Sequence, residues 1–227
     1  MALQALRAQL QPRDRSLQIA DRLEAAEALY DGDVDIVIVE RAVGAEFAEA
    51  AARRCAYGPV FHLVFRADSG VLEEAELAPL YAQLGPNAGA YVAKDLRSLT
   101  ARWSKLTGRR HARATLSLVD VDKCRKLHFD HLDLRILCTY EGPGTWVAPE
   151  RCLDRSAIGA RGEVALINKR ICRDDAALHQ ASAGDLVFLK GRAWQNGARG
   201  AVHRSPALER TGKRRLLLTV DGMGCEC

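Results

Sequence analysis

The chain reads as an α+β protein in which a helix-rich mixed region, residues 1–112, packs against a strand-rich barrel, residues 113–227. Three observations predict this. Apolar residues recur at helical spacing through much of the first half. Short β-leaning runs bounded by Gly and Pro dominate the second half. No Pro/Gly/Ser-rich linker interrupts the change of character near residues 108–114, so the helices should lie on the barrel and not form a free domain. A length of 227 residues suits one large domain or one barrel with an appended helical region.

The elements follow in order. Residues 17–31 place Ile19, Leu23, Ala26, Leu29 and Tyr30 at a helical period, and 33–39 form a short strand. An Ala- and Glu-rich helix over 45–54 precedes a strand over 60–65. Helices are expected over 73–84 and 87–106, the second opened by Asn87 as N-cap and closed by Gly108. Residues 114–121 alternate as a strand leading into the segment Lys126-Leu127-His128-Phe129-Asp130. Beyond Asp130 a strand runs to Tyr140 and stops at Gly142-Pro143-Gly144, which cannot continue a ladder. Gly184-Asp185 is a turn before the apolar run Leu186-Val187-Phe188-Leu189. A glycine-containing loop then leads to Val202-His203-Arg204-Ser205-Pro206, and 214–220 close the chain as a strand.

The chemistry lies in His128, Asp130 and His203. Side chains two apart on a strand share a face, so His128 and Asp130 can grip one ion while a third ligand comes from another strand. Two imidazoles and a carboxylate form the facial triad that holds iron(II) with open positions. A second His-x-Asp, His131-Leu132-Asp133, also fits the pattern. Counting from His128, one face carries Leu132, Leu134, Ile136, Cys138 and Tyr140 and reads as the barrel interior, which favours His128 and Asp130 over the alternate face. His203 immediately precedes the Ser-Pro that ends its strand and is preferred to His179 as the distal ligand.

An Arg soon after the distal His is where a bidentate fork could hold a carboxylate cosubstrate. Parity groups Arg214 with Leu216, Leu218 and Val220, the more apolar face, and so points it inward; Arg215 is the alternative. Tyr140 and Trp194 are candidate pocket walls, although bare aromatics also serve as core. Arg135 and Arg204 read as surface or ion-pair residues. His128 also has an ordinary reading, as a core histidine bonded to Asp130.

The run 122–130 and the run 134–145, which ends Tyr140-Glu141-Gly142-Pro143-Gly144-Thr145, resemble a bacterial family catalogued as a domain of unknown function, number 1826. Gly184-Asp185, Leu189-Lys190-Gly191, Val202-His203-Arg204-Ser205-Pro206 and 214–219 carry the same resemblance. It covers the C-terminal half closely and the N-terminal half loosely, and implies no activity. More remotely, the C-terminal pattern resembles the iron(II)/2-oxoglutarate-dependent oxygenases. That resemblance implies a cupin-like double-stranded β-helix with iron(II) on His128, Asp130 and His203. It also implies 2-oxoglutarate on the metal with its far carboxylate on Arg214, and hydroxylation of a C–H bond in a small molecule or peptide.

Composition bounds the alternatives. A hydrophobic share of 48% with 27% charged residues is that of an ordinary soluble globule. The net charge of +4 is spread along the chain, too diffuse for nucleic-acid binding but suited to an anionic small substrate. No apolar run reaches membrane-spanning length and residues 1–11 lack a signal-peptide core, so a cytoplasmic protein is expected. Seven cysteines show no disulfide-scaffold pattern. Cys225 and Cys227, with Cys124 close to His128, support a second class of function, a non-catalytic zinc-binding or zinc-handling protein. A barrel that binds a small anion or a partner without metal is a third.

Overall fold

Every second residue of the central strands is apolar and meets helices, while the residues between them face a second sheet. The computed structural model describes residues 14–222 except Asn196, so expectations for residues 1–11, Cys225 and Cys227 lie outside the described residues. Ten strands occur among them: β1 Leu17–Ala20, β2 Ile36–Val39, β3 Phe61–Asp68, β4 His111–Val119, β5 Leu134–Glu141, β6 Trp146–Val147, β7 His179–Gln180, β8 Leu186–Lys190, β9 His203–Arg204 and β10 Arg215–Gly222. The α-helices are α1 Ala45–Tyr57, α2 Ala78–Leu84, α3 Pro86–Thr107 and α4 Val164–Ile171. The seven-stranded sheet has the order β1-β2-β8-β5-β10-β4-β3, and a three-stranded sheet has the order β7-β6-β9. Pairing is antiparallel except between β1 and β2.

The protein is therefore mixed α/β with two separate sheets. The large sheet ends at β1 and β3, and the strands do not close into a barrel. Strands β1, β2 and β3 of the first half are members of the large sheet, and β4 straddles the expected boundary.

One face of the large sheet is covered by helices. Leu116 and Leu118 of β4, Ile136, Cys138 and Tyr140 of β5 and Leu216, Leu218 and Val220 of β10 form one core with Val92, Leu96, Leu99 and Trp103 of α3. Those α3 positions recur at three- and four-residue spacing and make a single apolar stripe. The Trp103 indole donates to the Leu134 carbonyl at 2.7 Å, which satisfies its buried N–H. Helix α3 begins at Pro86, whose fixed φ suits the first helical position, with Gly85 as the cap. Asn87, expected as the cap, instead donates its side-chain amide to Glu46. The expected C-terminal stop is present: Gly108 adopts φ 67°, a left-handed cap.

On the opposite face, Ile36 and Ile38 of β2, Val187 and Leu189 of β8 and Leu137 of β5 pack against Val147 of the small sheet. A third apolar cluster joins Ile167 and Ile171 of α4 to Leu127 and Val202. Residues 17–31, read as helix, become β1 followed by a 3-10 turn, Leu23–Tyr30. Parallel pairing of Leu17–Ala20 with Ile36–Val39 outweighs the local helical period. Among the described residues, no helix is long and apolar enough to cross a membrane.

Candidate metal centre

His128 and His203 stand directly opposite each other in an isolated antiparallel bridge. The His128 amide donates to the His203 carbonyl at 3.1 Å and the His203 amide to the His128 carbonyl at 2.9 Å. Residues directly opposite in such a pair project to the same side, so the backbone itself brings the two imidazoles together. Their ring centroids are 4.5 Å apart. Each ring is held in the same way: the Nδ1 of His128 lies 2.8 Å from the Lys126 carbonyl and that of His203 lies 3.0 Å from the Ala201 carbonyl. A carbonyl can only accept, so both Nδ1 atoms carry hydrogen and both Nε2 atoms present lone pairs.

The Nε2 atoms point at Asp130, 3.8 Å away for His128 and 3.5 Å for His203. One ligand atom from each of the three residues falls within 4.8 Å of the others. Asp130 is 6% exposed and its Oδ2 accepts no hydrogen bond, although the Arg135 guanidinium approaches it at 3.0 Å. Burial depresses the His203 pKa to about 4, with Asp130 opposing and His128 reinforcing the shift, so its imidazole is neutral near pH 7. A neutral His203 imidazole, a second imidazole and a buried carboxylate gathered at one point suit a divalent cation.

The segment holding Asp130 is not a strand. Residues 129 and 130 belong to no regular element and 131–133 form a bend before β5 begins. That bend resets the alternation. Leu134, Ile136, Cys138 and Tyr140 face the helices, and Arg135, Leu137 and Thr139 share the side of the triad. The amides of Gly191, Arg192 and Ala193 donate to the carbonyls of Asp133, Asp130 and Leu132 and pin the bend in place. A Cβ on Gly191 would sit 1.8 Å from the Leu132 carbonyl oxygen, so this clamp requires glycine. On the other side, Asn168 of α4 accepts from the Leu127 amide at 2.7 Å and donates to the Arg125 carbonyl at 2.9 Å, which fixes the approach to His128.

The direction in which the apolar face of β10 looks decides between the arginines, since Leu216, Leu218 and Val220 meet the helices. Arg214 turns away and donates to the Cys55 carbonyl, beside a different cavity. Arg215, the alternative, enters the cavity that holds His128 and His203, which has a volume of about 510 Å³. Its Nε and Nη2 donate to Thr139 Oγ1 at 2.9 and 2.6 Å, and Nη2 also donates to Thr145 Oγ1 at 2.6 Å. It is 3% exposed, and burial pulls its pKa down to about 10. Two hydroxyls orient this cation, and among the described residues no carboxylate pairs with it. Gly142 makes room for the start of β10, since a Cβ there would lie 2.1 Å from the Arg214 carbonyl oxygen.

The other candidates lie elsewhere. Tyr140 is buried against the helices and donates to Asp95 at 2.7 Å. Trp194 belongs to the same core. His179 pairs with Val147 on the far side of β6 from His203. His131 is exposed and packs edge-on to Phe129, and Asp133 pairs with Arg109 at 3.2 Å. Arg135 does form ion pairs, with Asp130 and with Asp221 at 2.8 Å. Asn168, Thr139, Thr145 and Asp221 are not legible as site residues, because each acts by holding another side chain or the backbone.

The family model described as "Protein of unknown function (DUF1826)" matches residues 20–221. A search among curated proteins finds no match. Solved structures with a similar course include a Pseudomonas putida prolyl-4-hydroxylase, 13% identical, covering 88% of this chain and 96% of that one at a TM-score of 0.42. Another is the Fe(II)/(alpha)ketoglutarate-dependent dioxygenase TqaL, 14% identical, covering 87% and 85% at 0.44. A third is HygX from Streptomyces hygroscopicus with nickel and 2-oxoglutarate bound, 13% identical, covering 86% of each chain at 0.41. Identity and score are low in all three.

Proposed function

For a chain that belongs to the DUF1826 family of proteins of unknown function, we propose that the cavity is the centre of an iron(II)/2-oxoglutarate-dependent oxygenase acting on a C–H bond. One observation carries the reading: a two-histidine, one-carboxylate set and a buried arginine that has no acidic partner among the described residues meet at one cavity. Iron(II) would be held by the Nε2 atoms of His128 and His203 and the carboxylate of Asp130. With 2-oxoglutarate and dioxygen it would supply the oxidising power to put one oxygen atom of dioxygen into a C–H bond, the other atom leaving in succinate as 2-oxoglutarate loses carbon dioxide.

The chain's own residues bind, orient and exclude water. The carbonyls of Lys126 and Ala201 keep both imidazoles in the tautomer that can ligate. Arg135, bridging Asp130 and Asp221, fixes the carboxylate and balances its charge. Thr139 and Thr145 hold the Arg215 fork open for the distal carboxylate of 2-oxoglutarate, for which a planar guanidinium is the matching donor. Leu137 and Leu217 give the cavity an apolar wall that limits access of water. Iron is favoured over thiolate-bound zinc because no cysteine joins the ligand group among the described residues.

The test is an anaerobic titration of iron(II)-loaded protein with 2-oxoglutarate, followed by visible absorption and, after oxygen is admitted, by succinate release. A weak charge-transfer band and succinate formation are expected. Arg215→Ala should raise the 2-oxoglutarate concentration required, Arg215→Lys should restore it only in part, and Arg214→Ala should leave it unchanged. Protein that binds zinc stoichiometrically yet neither binds nor consumes 2-oxoglutarate would overturn the reading in favour of metal handling.

A further inference from the structure

The cavity extends past the triad to the β3 edge of the large sheet, and cations there have no role in the centre described above. Arg113, Thr115 and Ser117 alternate with core residues on β4 and line the cavity, joined by His62 of β3 and Lys123 from the segment after β4. The β3–β4 register sets His62 opposite Ser117 and Arg66 opposite Arg113. Two arginines directly opposite on one sheet face repel each other. Arg113 also stands opposite Asp221 on β10 and offsets part of the rise that burial gives that carboxyl, but Asp221 is already hydrogen-bonded to Arg135. Among the described residues Arg66, Arg113 and Lys123 make no ion pair, and the buried Nε of Arg113 has no hydrogen-bond partner. Lys123 and Arg113 are near enough to His62 to add to the lowering of its pKa by burial. His62 Nδ1 rests 2.7 Å from Ser117 Oγ.

We infer that Arg113, Lys123 and His62 bind the anionic group of the substrate, a small organic molecule carrying a carboxylate or phosphate remote from the C–H bond that reacts. A cluster of like charges in a partly closed cavity is unfavourable until an anion enters, and charge-assisted hydrogen bonds then offset the repulsion. The volume of about 510 Å³ is that of a small-molecule site, not of a groove for a polymer. Anchoring the remote group lets its binding energy position the reacting carbon. The role as substrate anchor rests on the oxygenase reading; the anion site itself stands on the cations alone.

Calorimetric titration of metal-free protein with inorganic phosphate and, separately, with acetate tests it. At least one anion should bind, and which one binds names the headgroup. Arg113→Gln combined with Lys123→Ala should weaken that binding by about 10-fold or more, the loss expected for hydrogen bonds to a charged group. Lys123→Ala alone, in an exposed segment where folding is not at risk, should weaken it about 3-fold, a smaller share of the same interaction. In Arg215→Ala, which removes the carboxylate fork assigned to 2-oxoglutarate, the binding that depends on Arg113 and Lys123 should remain. Absence of binding by both anions, affinity indifferent to Arg113 and Lys123, or loss of the Arg113- and Lys123-dependent binding in Arg215→Ala would each overturn the inference. Failure of 2-oxoglutarate to bind the iron-loaded protein would overturn the oxygenase reading separately, since the anion titration contains no metal.

Discussion

Two ends of the same inter-sheet gap are built from the same alternating strands and finished in opposite ways. At one end Ile36 and Ile38 of β2 and Val187 and Leu189 of β8 close on Val147, leaving an apolar seam. Across the gap, Arg215, Thr219 and Asp221 of β10 and Arg113, Thr115 and Ser117 of β4 line a cavity. The helix-covered side of those strands shows no such contrast, being apolar from β2 to β4. The sealed end holds the sheets together. The open end keeps buried polar groups that lack full partners, Asp130 Oδ2 and Arg113 Nε among them, an arrangement that costs stability and suits a ligand site.

The sharpest way to break this contrast is to exchange the consequences. His203→Ala should lower iron(II) affinity by more than the ~100-fold at the top of the range for groups outside the ligand shell. Its urea midpoint should change little, because the alanine removes a desolvated imidazole along with its contacts. A large fall in stability would assign His203 to the scaffold.

Ile38→Ala is the mirror experiment. It removes a fully buried side chain at the sealed end, and should cost about 2–5 kcal/mol in urea unfolding. Iron affinity of the folded variant should match that of the parent. If affinity falls in step with stability, the two ends are not separable.

Asn168→Ala probes the boundary between them. The side chain hydrogen-bonds the backbone just before His128, so iron(II) affinity should fall by about 10-fold, the lower end for outer positions, while Arg215-dependent binding of 2-oxoglutarate to already loaded protein stays the same. Competition with a metal chelator measures it.

The smallest effect concerns thiols. Burial pushes Cys138, on the helix side of β5, up to about 12, against the pull of Arg41. A thiolate is therefore absent from this site near neutral pH, and iodoacetamide should not modify it in folded protein. Cys124 is exposed at the cavity and should react first. Mass spectrometry of peptides after brief alkylation distinguishes the two, and early labelling of Cys138 would show that the helix side opens.

Much of this arrangement is legible in the sequence, and the rest is hidden for separate reasons. His128, Asp130 and His203 stand out by residue type and spacing, and β2, β8 and β10 by their β-branched and leucine runs. Their orientation was inferred on the premise that the apolar face of a strand looks toward the site. Here it looks away: a polar cavity leaves the apolar residues to the helices, so Arg215 and not Arg214 enters it and Tyr140 does not. The bend at 131–133 hides this, since one local break reverses the parity of everything after it. The N-terminal strands were underestimated because β1 has four residues and its pairing with β2 cannot be read locally. Helix α4 and Asn168 are not legible because the segment they support lies 41 residues away, with no local signal joining the two.

The reciprocal amide pair between His128 and His203 makes the spacing of the two imidazoles a property of the backbone. Whatever opens those two hydrogen bonds separates the ligands, and whatever draws the ligands together keeps the bonds closed. Occupancy of the centre is thus thermodynamically linked to solvent exchange at two particular amide protons. These protons form a built-in gauge of ligation that needs neither colour nor turnover.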